Sequence, residues 1–258
     1  MLKKTFISFG LIVILAGTLV FAWATYVGYT KEVFCKIASE YLPGLKIFEN
    51  PNPDTTRIYG IDISHHQKHI NWKKVSEWEG QKIRFAYIKA TEGGTHRDTR
   101  YVYNIINARK HGLLTGSYHY YRPRTTPQRQ FKNFTSVVKK RYQDIIPVID
   151  IEETKGVSKE KFIEDLSLFL IMVEKHYGVK PLLYTTRRLW WSYLQNDFNN
   201  FKIFMGYYGC TEPSMSISQT WTIWQFTELG RVKGIPTFVD IDVLNPDMSL
   251  HDLKIPEQ

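Results

Sequence analysis

The sequence predicts an α/β fold, an irregular TIM-like (β/α) barrel of about eight strands with fewer helices, and three features of the chain point to it. Short apolar runs bounded by Pro, Gly or polar residues recur at strand length. Segments of helical periodicity separate the earlier runs, and strand, helix, strand in succession implies parallel strands joined by crossovers. The later connections are poor in helix, which makes the barrel irregular. An open doubly wound sheet is the alternative, although no G-x-G-x-x-G turn supports a dinucleotide-binding version.

The N-terminus comes first. After Lys3 and Lys4, "TFISFGLIVILAGTLVFAWATYVGYT" runs without a charge, long enough to span a bilayer as a helix. The preceding lysines would hold that end in the cytoplasm, so the rest would face outward. Ala22-Trp23-Ala24 also resembles a signal-peptide cleavage site. Residues 1–30 are therefore a signal-anchor or signal peptide, and "EYLPGLKIFENPNPDTTR" closes a linker over 31–56, leaving 57–258 as the working domain. Cys35 and Cys210 form neither a disulfide framework nor a metal spacing, and no CxxC, HExxH or Walker-type loop occurs.

The strands follow as "RIYGIDIS", "IRFAYIKATEG", "LLTGSYHYY", "IIPVIDIEE", "KPLLYTT", "FKIFMGYY", "WTIWQFT" and "TFVDIDVL". Between them, "TRYVYNIINARKHG" has helical spacing and a closing Gly112, and "TPQRQFKNFTSVVKKRY" begins with Pro127 near a helix start. "VSKEKFIEDLSLFLIMVEKHYG" has Ser158 as its cap, Val157 to staple onto Phe162, and Gly178 to end it. "RRLWWSYL" is short, and a loop alone links Tyr208 to Trp221.

A parallel barrel binds ligands at the C-terminal ends of its strands. Those ends supply Asp62, Ser64 and His65; Lys89, Thr91 and Glu92; Tyr118, His119 and Tyr120; Asp150 and Glu152; Tyr184; Trp224 and Gln225; and Asp240 and Asp242. Residues two apart on a strand share a face, about 6.5–7 Å apart. Asp150 and Glu152 therefore face the mouth, while Ile149, Ile151 and Glu153 face away, with Glu153 solvated.

Two neighbouring carboxylates in a partly desolvated pocket do not both ionise easily, so one keeps a proton near neutral pH. Cleaving a glycosidic bond needs that arrangement: an acid for the departing oxygen and negative charge beside the cation-like sugar. Glu152, with the longer reach, is the expected proton donor. Asp150, deeper, tunes it or polarises a substrate group, and Asp62 and Asp240, which end the first and last strands and so are neighbours in a closed barrel, supply the remaining negative charge. His65, His66 and His119 offer an alternative, a metal site shared with the acids. A strand-end His is more often a hydrogen-bonding residue, so the expectation is no metal and no other cofactor.

The chain carries 16 Tyr, 15 Phe and 7 Trp, suited to a groove for ring-shaped ligands as well as to a large core. Its net charge of +9 favours an anionic partner: nucleic acid, a membrane surface or an acidic wall polymer. No basic run stands out beyond "VVKKRY", so a nucleic-acid partner is not expected.

In this order, "YGIDISHHQ", "AYIKATEG", "GSYHYY", "PVIDIEE", "PLLYTT", "WQFT" and "VDIDVL" resemble the family 25 glycoside hydrolases, the lysozymes also called N-acetylmuramidases. The likeness covers about Arg57 to Leu250. It implies an irregular barrel that hydrolyses the β-1,4 bond between N-acetylmuramic acid and N-acetylglucosamine in peptidoglycan. The family's catalytic glutamate falls on Glu152, and its aspartates fall on Asp150, Asp62 and, best, Asp240. Asp242 competes for that last place, where relatives frequently carry Asn, with Asp240 taken as the deeper of the two. The resemblance further implies retention of configuration with help from the substrate's own 2-acetamido group. Tyr118, Tyr184 and Trp224 match aromatic positions of the groove, and His119, Gln225, Glu92 and Asp242 complete the expected substrate-binding set.

The expected partner is therefore the peptidoglycan glycan strand, met by a monomer outside the cytoplasm. The protein would be secreted, or held to the membrane if the N-terminal segment stays uncleaved. The alternatives are a non-catalytic wall-binding module and a metal-dependent carbohydrate hydrolase or deacetylase.

Overall fold

A computed structural model describes residues 57–208, 212–215 and 219–256. The apolar N-terminal segment, the linker and both cysteines lie outside the described residues. Tyr208 apart, the described residues belong to one compact unit.

Ten strands form the sheet: β1 Tyr59–Ile63, β2 Glu77–Trp78, β3 Gln81–Glu92, β4 His96–Arg97, β5 Leu114–Tyr120, β6 Val148–Ile151, β7 Leu182–Thr186, β8 Ile203–Gly206, β9 Ile223–Gly230 and β10 Val239–Leu244. β2 and β4 are short flaps on β3; the others close in the order β1, β3, β5, β6, β7, β8, β9, β10 and back to β1. All eight expected strands are present. Their directions differ from the expectation in one respect: β10 is antiparallel to both β9 and β1, and every other neighbouring pair in the ring is parallel. The cause is the link from Gly230 to Val239, too short for the crossover that a parallel neighbour requires.

Among the described residues four helices accompany the strands: α1 Tyr101–Lys110, α2 Pro127–Val137, α3 Lys159–Tyr177 and the single turn α4 Arg187–Leu189, which runs into a π-helical turn over Trp190–Leu194. Pro127 opens α2, where its missing N–H costs nothing. This helix stops at Val137, short of the expected "KKRY", of which Lys140–Tyr142 makes a separate 3-10 turn. The Ser158 side chain accepts from the Lys161 N–H at the start of α3, and Gly178 ends it at φ 77°, a left-handed conformation glycine adopts freely. Phe162, Leu166, Phe169, Leu170, Val173 and Tyr177 form the buried face of α3, the stripe that i, i+3, i+4 spacing produces. Among the described residues no helix is long and apolar enough to cross a membrane.

Strand alternation sorts the apolar residues into two cores. Outward residues such as Ile61, Ile88, Ile149, Ile151 and Leu183 pack with the helices, while Phe85, Tyr87, Val148, Leu182, Phe204, Ile223 and Leu244 fill the barrel interior. The interior rings need room across the barrel. A Cβ on Gly60 would lie 2.2 Å from Phe85 and one on Gly116 2.3 Å from Tyr87, so two bare backbones admit the rings that floor the barrel.

Candidate active site

The inward residues above that floor are polar. Asp62, near the end of β1, lies opposite Asp240 of β10 and opposite Tyr87 of β3. Asp150 stands between Tyr120 of β5 and Tyr184 of β7, and Glu152 follows β6 by one residue. A hydrogen-bonded chain crosses the mouth: the Tyr184 hydroxyl donates to Gln225 Oε1 at 2.8 Å, and Gln225 Nε2 donates to Asp62 Oδ2 at 2.6 Å. Gly206 allows this chain, since a Cβ there would sit 2.5 Å from the Tyr184 oxygen.

Burial raises the proton affinity of each of these acids. Burial, then the charge of Glu152, pushes the Asp150 pKa well above the ordinary carboxylate value, although Lys89 pulls the other way. One Asp150 oxygen, Oδ1, is buried without a hydrogen-bond partner. Asp62 is raised by burial to about 6, with the Gln225 hydrogen bond limiting the rise, and Asp240 is raised to about 9 by burial and then by Asp62. Glu152 reaches the open mouth and is the most exposed of the group. Partial desolvation still raises its pKa, against a 3.3 Å hydrogen bond donated by the Tyr120 hydroxyl. Tyr118 lies among Asp62, Asp150 and Asp240, and burial together with their charges drives its hydroxyl pKa well up.

A basic bracket fixes the Tyr120 ring from which that hydrogen bond comes. Lys89 Nζ and Arg122 Cζ lie 4.8 and 4.5 Å from the ring centroid. Both cations bind Glu92, Lys89 at 2.7 Å and Arg122 at 2.6 Å, and Arg122 also holds Glu153 at 2.7 Å. Desolvation alone would raise Glu92, but its hydrogen bonds from Lys89 and Arg122 prevail and lower its pKa to about 2.

A glutamate of raised proton affinity at the open end of a cluster of desolvated carboxylates suits acid-assisted cleavage of a glycosidic bond. The sequence model described as "Glycosyl hydrolases family 25" matches residues 61–235. The chain belongs to glycoside hydrolase family 25. It is 33% identical over 203 residues to the protein YegX of Escherichia coli strain K12, covering 78% of this chain and 74% of that one. It is 31% identical over 207 residues to Lysozyme M1 of Streptomyces globisporus, covering 74% and 69% of the two chains. The crystal structure of the bacterial lysozyme from Streptomyces coelicolor superposes with a TM-score of 0.67 at 30% identity, covering 78% of this chain and 96% of that one.

Within this family 25 glycoside hydrolase the structure brings Asp62, Asp150, Glu152, Asp240, Tyr118, Tyr184 and Gln225 together at the mouth. Other expected site residues lie elsewhere. Trp224 alternates with inward Gln225 and so points outward, fully buried against Trp221 and Phe226, its indole N–H donating to the Tyr207 carbonyl. It presents no ring face to the mouth. His119 likewise alternates with Tyr118 and Tyr120. It is buried against Phe134 and Phe169, with Nδ1 2.7 Å from Thr91 Oγ1 and Nε2 3.1 Å from Gln130 Oε1.

The remaining differences are of depth and pairing. Because β10 is antiparallel, its N-terminal end meets the mouth, so Asp240 is the shallower acid and Asp242 the deeper, the reverse of the expected order. Asp242 is fully buried in the floor. Glu92 is taken up by its two cations, and Glu153 is paired with Arg122 where a solvated residue was expected. His65 pairs with Asp98 at 2.8 Å, His66 is exposed, and among the described residues no cluster of three His, Cys, Asp or Glu is arranged around a metal-sized point. The sequence places Tyr120 among the strand-end residues without giving it a specific role, and it does not single out Arg122. The signal was available: Tyr118 and Tyr120 share a face, and Arg122 follows at the same spacing.

Proposed function

We propose that this glycoside hydrolase is a muramidase that hydrolyses the β-1,4 bond between N-acetylmuramic acid and N-acetylglucosamine in peptidoglycan, with Glu152 as acid and then base. The relatives named lysozyme support the substrate. The observation that carries the chemistry is the placement of Glu152, the most exposed carboxyl of the cluster, at the mouth beside Asp150, with partial desolvation raising its proton affinity.

In the first step Glu152 gives its proton to the departing glycosidic oxygen, and the sugar ring gains cationic character. The substrate's 2-acetamido oxygen closes on the anomeric carbon, and Asp150, deeper and facing the same way, orients that group. Asp62, held by Gln225, supplies negative charge beside the ring. Glu152, now a carboxylate steadied by the Tyr120 hydroxyl, takes a proton from the attacking water in the second step. Tyr118 and Tyr184 face the sugar. The enzyme would act as a monomer outside the cytoplasm, either secreted or held by the N-terminal apolar segment.

Purified peptidoglycan treated with the enzyme should release new reducing ends, and mass analysis should find N-acetylmuramic acid at them. Glu152→Gln keeps the shape and removes the proton, so it should lower the rate by roughly 100- to 10,000-fold with the fold intact. Near-normal turnover by E152Q would overturn the role of Glu152, and N-acetylglucosamine reducing ends would overturn the bond assignment.

A further inference from the structure

Asp242 is a buried acid that the proposed chemistry leaves unused. Its side chain is 0% exposed, and it lies on β10 opposite Gly60 of β1 and Gln225 of β9. Neither of its oxygens receives a hydrogen bond from a conventional donor. The group within hydrogen-bonding reach is the Asp62 carboxyl, itself an acceptor when ionised. None of the other groups facing it hydrogen-bonds to it. Asp240, on the same strand, is another acid, the Tyr87 hydroxyl of β3 is given to the Ile146 carbonyl at 3.1 Å, and the Gln225 amide is given to Asp62.

Two carboxylates in contact in a buried site repel, and a buried charged group left without a donor keeps the full penalty of its desolvation. One proton shared between them removes both problems. We propose that Asp242 is a positioning residue that stays a neutral carboxylic acid, its O–H donating to the Asp62 carboxylate from below while Gln225 donates from the side. Asp62 then keeps its charge and its orientation although it is desolvated and faces Glu152. The direction of the shifts agrees: burial and the charges of Asp62 and Asp240 push the Asp242 pKa well up, and the contact with Asp242 lowers that of Asp62. The catalytic consequence rests on the muramidase reading; the protonation itself does not.

The test is a titration of protein labelled with 13C at the aspartate carboxyls, followed by NMR between about pH 4 and pH 9, with assignment by single substitutions. The resonance missing from Asp242→Asn should lie at the protonated position throughout the neutral range in the parent protein. Asn can still donate to Asp62, so the Asp62 midpoint in D242N should stay near that of the parent. Asp242→Ala removes the donor and should raise the midpoint by about one unit, a tenfold change in proton affinity. The acid limb of kcat/KM on peptidoglycan should move with D242A and stay in place with D242N. A carboxylate-like Asp242 resonance at neutral pH, or a D242N midpoint displaced as far as that of D242A, would overturn the proposal. If D242A does not fold, the parent and D242N spectra decide. If the parent protein does not cleave peptidoglycan, the muramidase reading fails while the titration still stands.

Discussion

Asp62 and Asp240 face each other directly across the antiparallel pair of β1 and β10. With burial, this opposition of like groups lifts the Asp240 pKa to about 9. The native state therefore binds a proton that the unfolded chain has already released above its ordinary carboxylate pKa. The stabilisation is complete below that ordinary value and is lost as pH rises through about 9. Thermal unfolding followed by circular dichroism should show the midpoint falling from mildly acidic to alkaline pH. Asp240→Asn should lessen that fall, at about 2–4 °C for each kcal/mol recovered. An unchanged slope in D240N would show that Asp240 is not the group responsible.

Activity should follow a bell-shaped pH profile, because the proposed chemistry requires Asp62 ionised and Glu152 protonated. Asp62 places the acid limb at about 6, and its loss in Asp62→Asn should remove that limb as well as lower the rate. The alkaline limb belongs to the coupled acids with Glu152 at their open end. The Tyr120 hydrogen bond lowers the Glu152 pKa, so Tyr120→Phe should carry the alkaline limb to higher pH. A shift to lower pH would contradict the assigned direction of that bond.

Gly206→Ala tests the chain that crosses the mouth. The added methyl group would lie 2.5 Å from the Tyr184 hydroxyl oxygen, so the phenol must swing away from Gln225. Asp62 would then lose the fixed amide that orients it. The expected result is a fall in kcat of about tenfold or more, the loss of one well-placed hydrogen bond in the transition state. A kcat equal to that of the parent would mean that Tyr184 does not hold Gln225 during turnover.

The barrel was legible because its strands are short apolar runs between Pro, Gly and polar residues, and α3 because Ser158 and Gly178 mark its ends. Alternation placed Asp150 and Glu152 on the mouth face, and the antiparallel register of β10 was implicit in the short link before it. Three things were not legible. Strand-end position does not state facing, and adjacent residues such as Tyr118 and His119 point opposite ways, which misplaced His119 and Trp224. The depth order of Asp240 and Asp242 depends on strand direction, which a two-residue spacing does not carry. The pairing of Arg122 with Glu92 and Glu153 joins residues about thirty positions apart, and local pattern holds no information about it.

The outward placement of Trp224 and the inward placement of Tyr118 predict opposite losses from substitution. Trp224 is fully buried between barrel and outer layer, so Trp224→Ala should cost about 3–5 kcal/mol of stability through the lost burial and the cavity left behind. The gentler Trp224→Phe should fold and keep the KM for glycan close to that of the parent, because no sugar meets that ring. Tyr118 is only partly buried and stands among the acids, so Tyr118→Ala should raise KM while lowering the unfolding midpoint less than W224A does. Paired measurements of KM on soluble glycan fragments and of thermal unfolding separate the two residues. A raised KM in W224F with an unchanged unfolding midpoint would return Trp224 to the sugar-binding face.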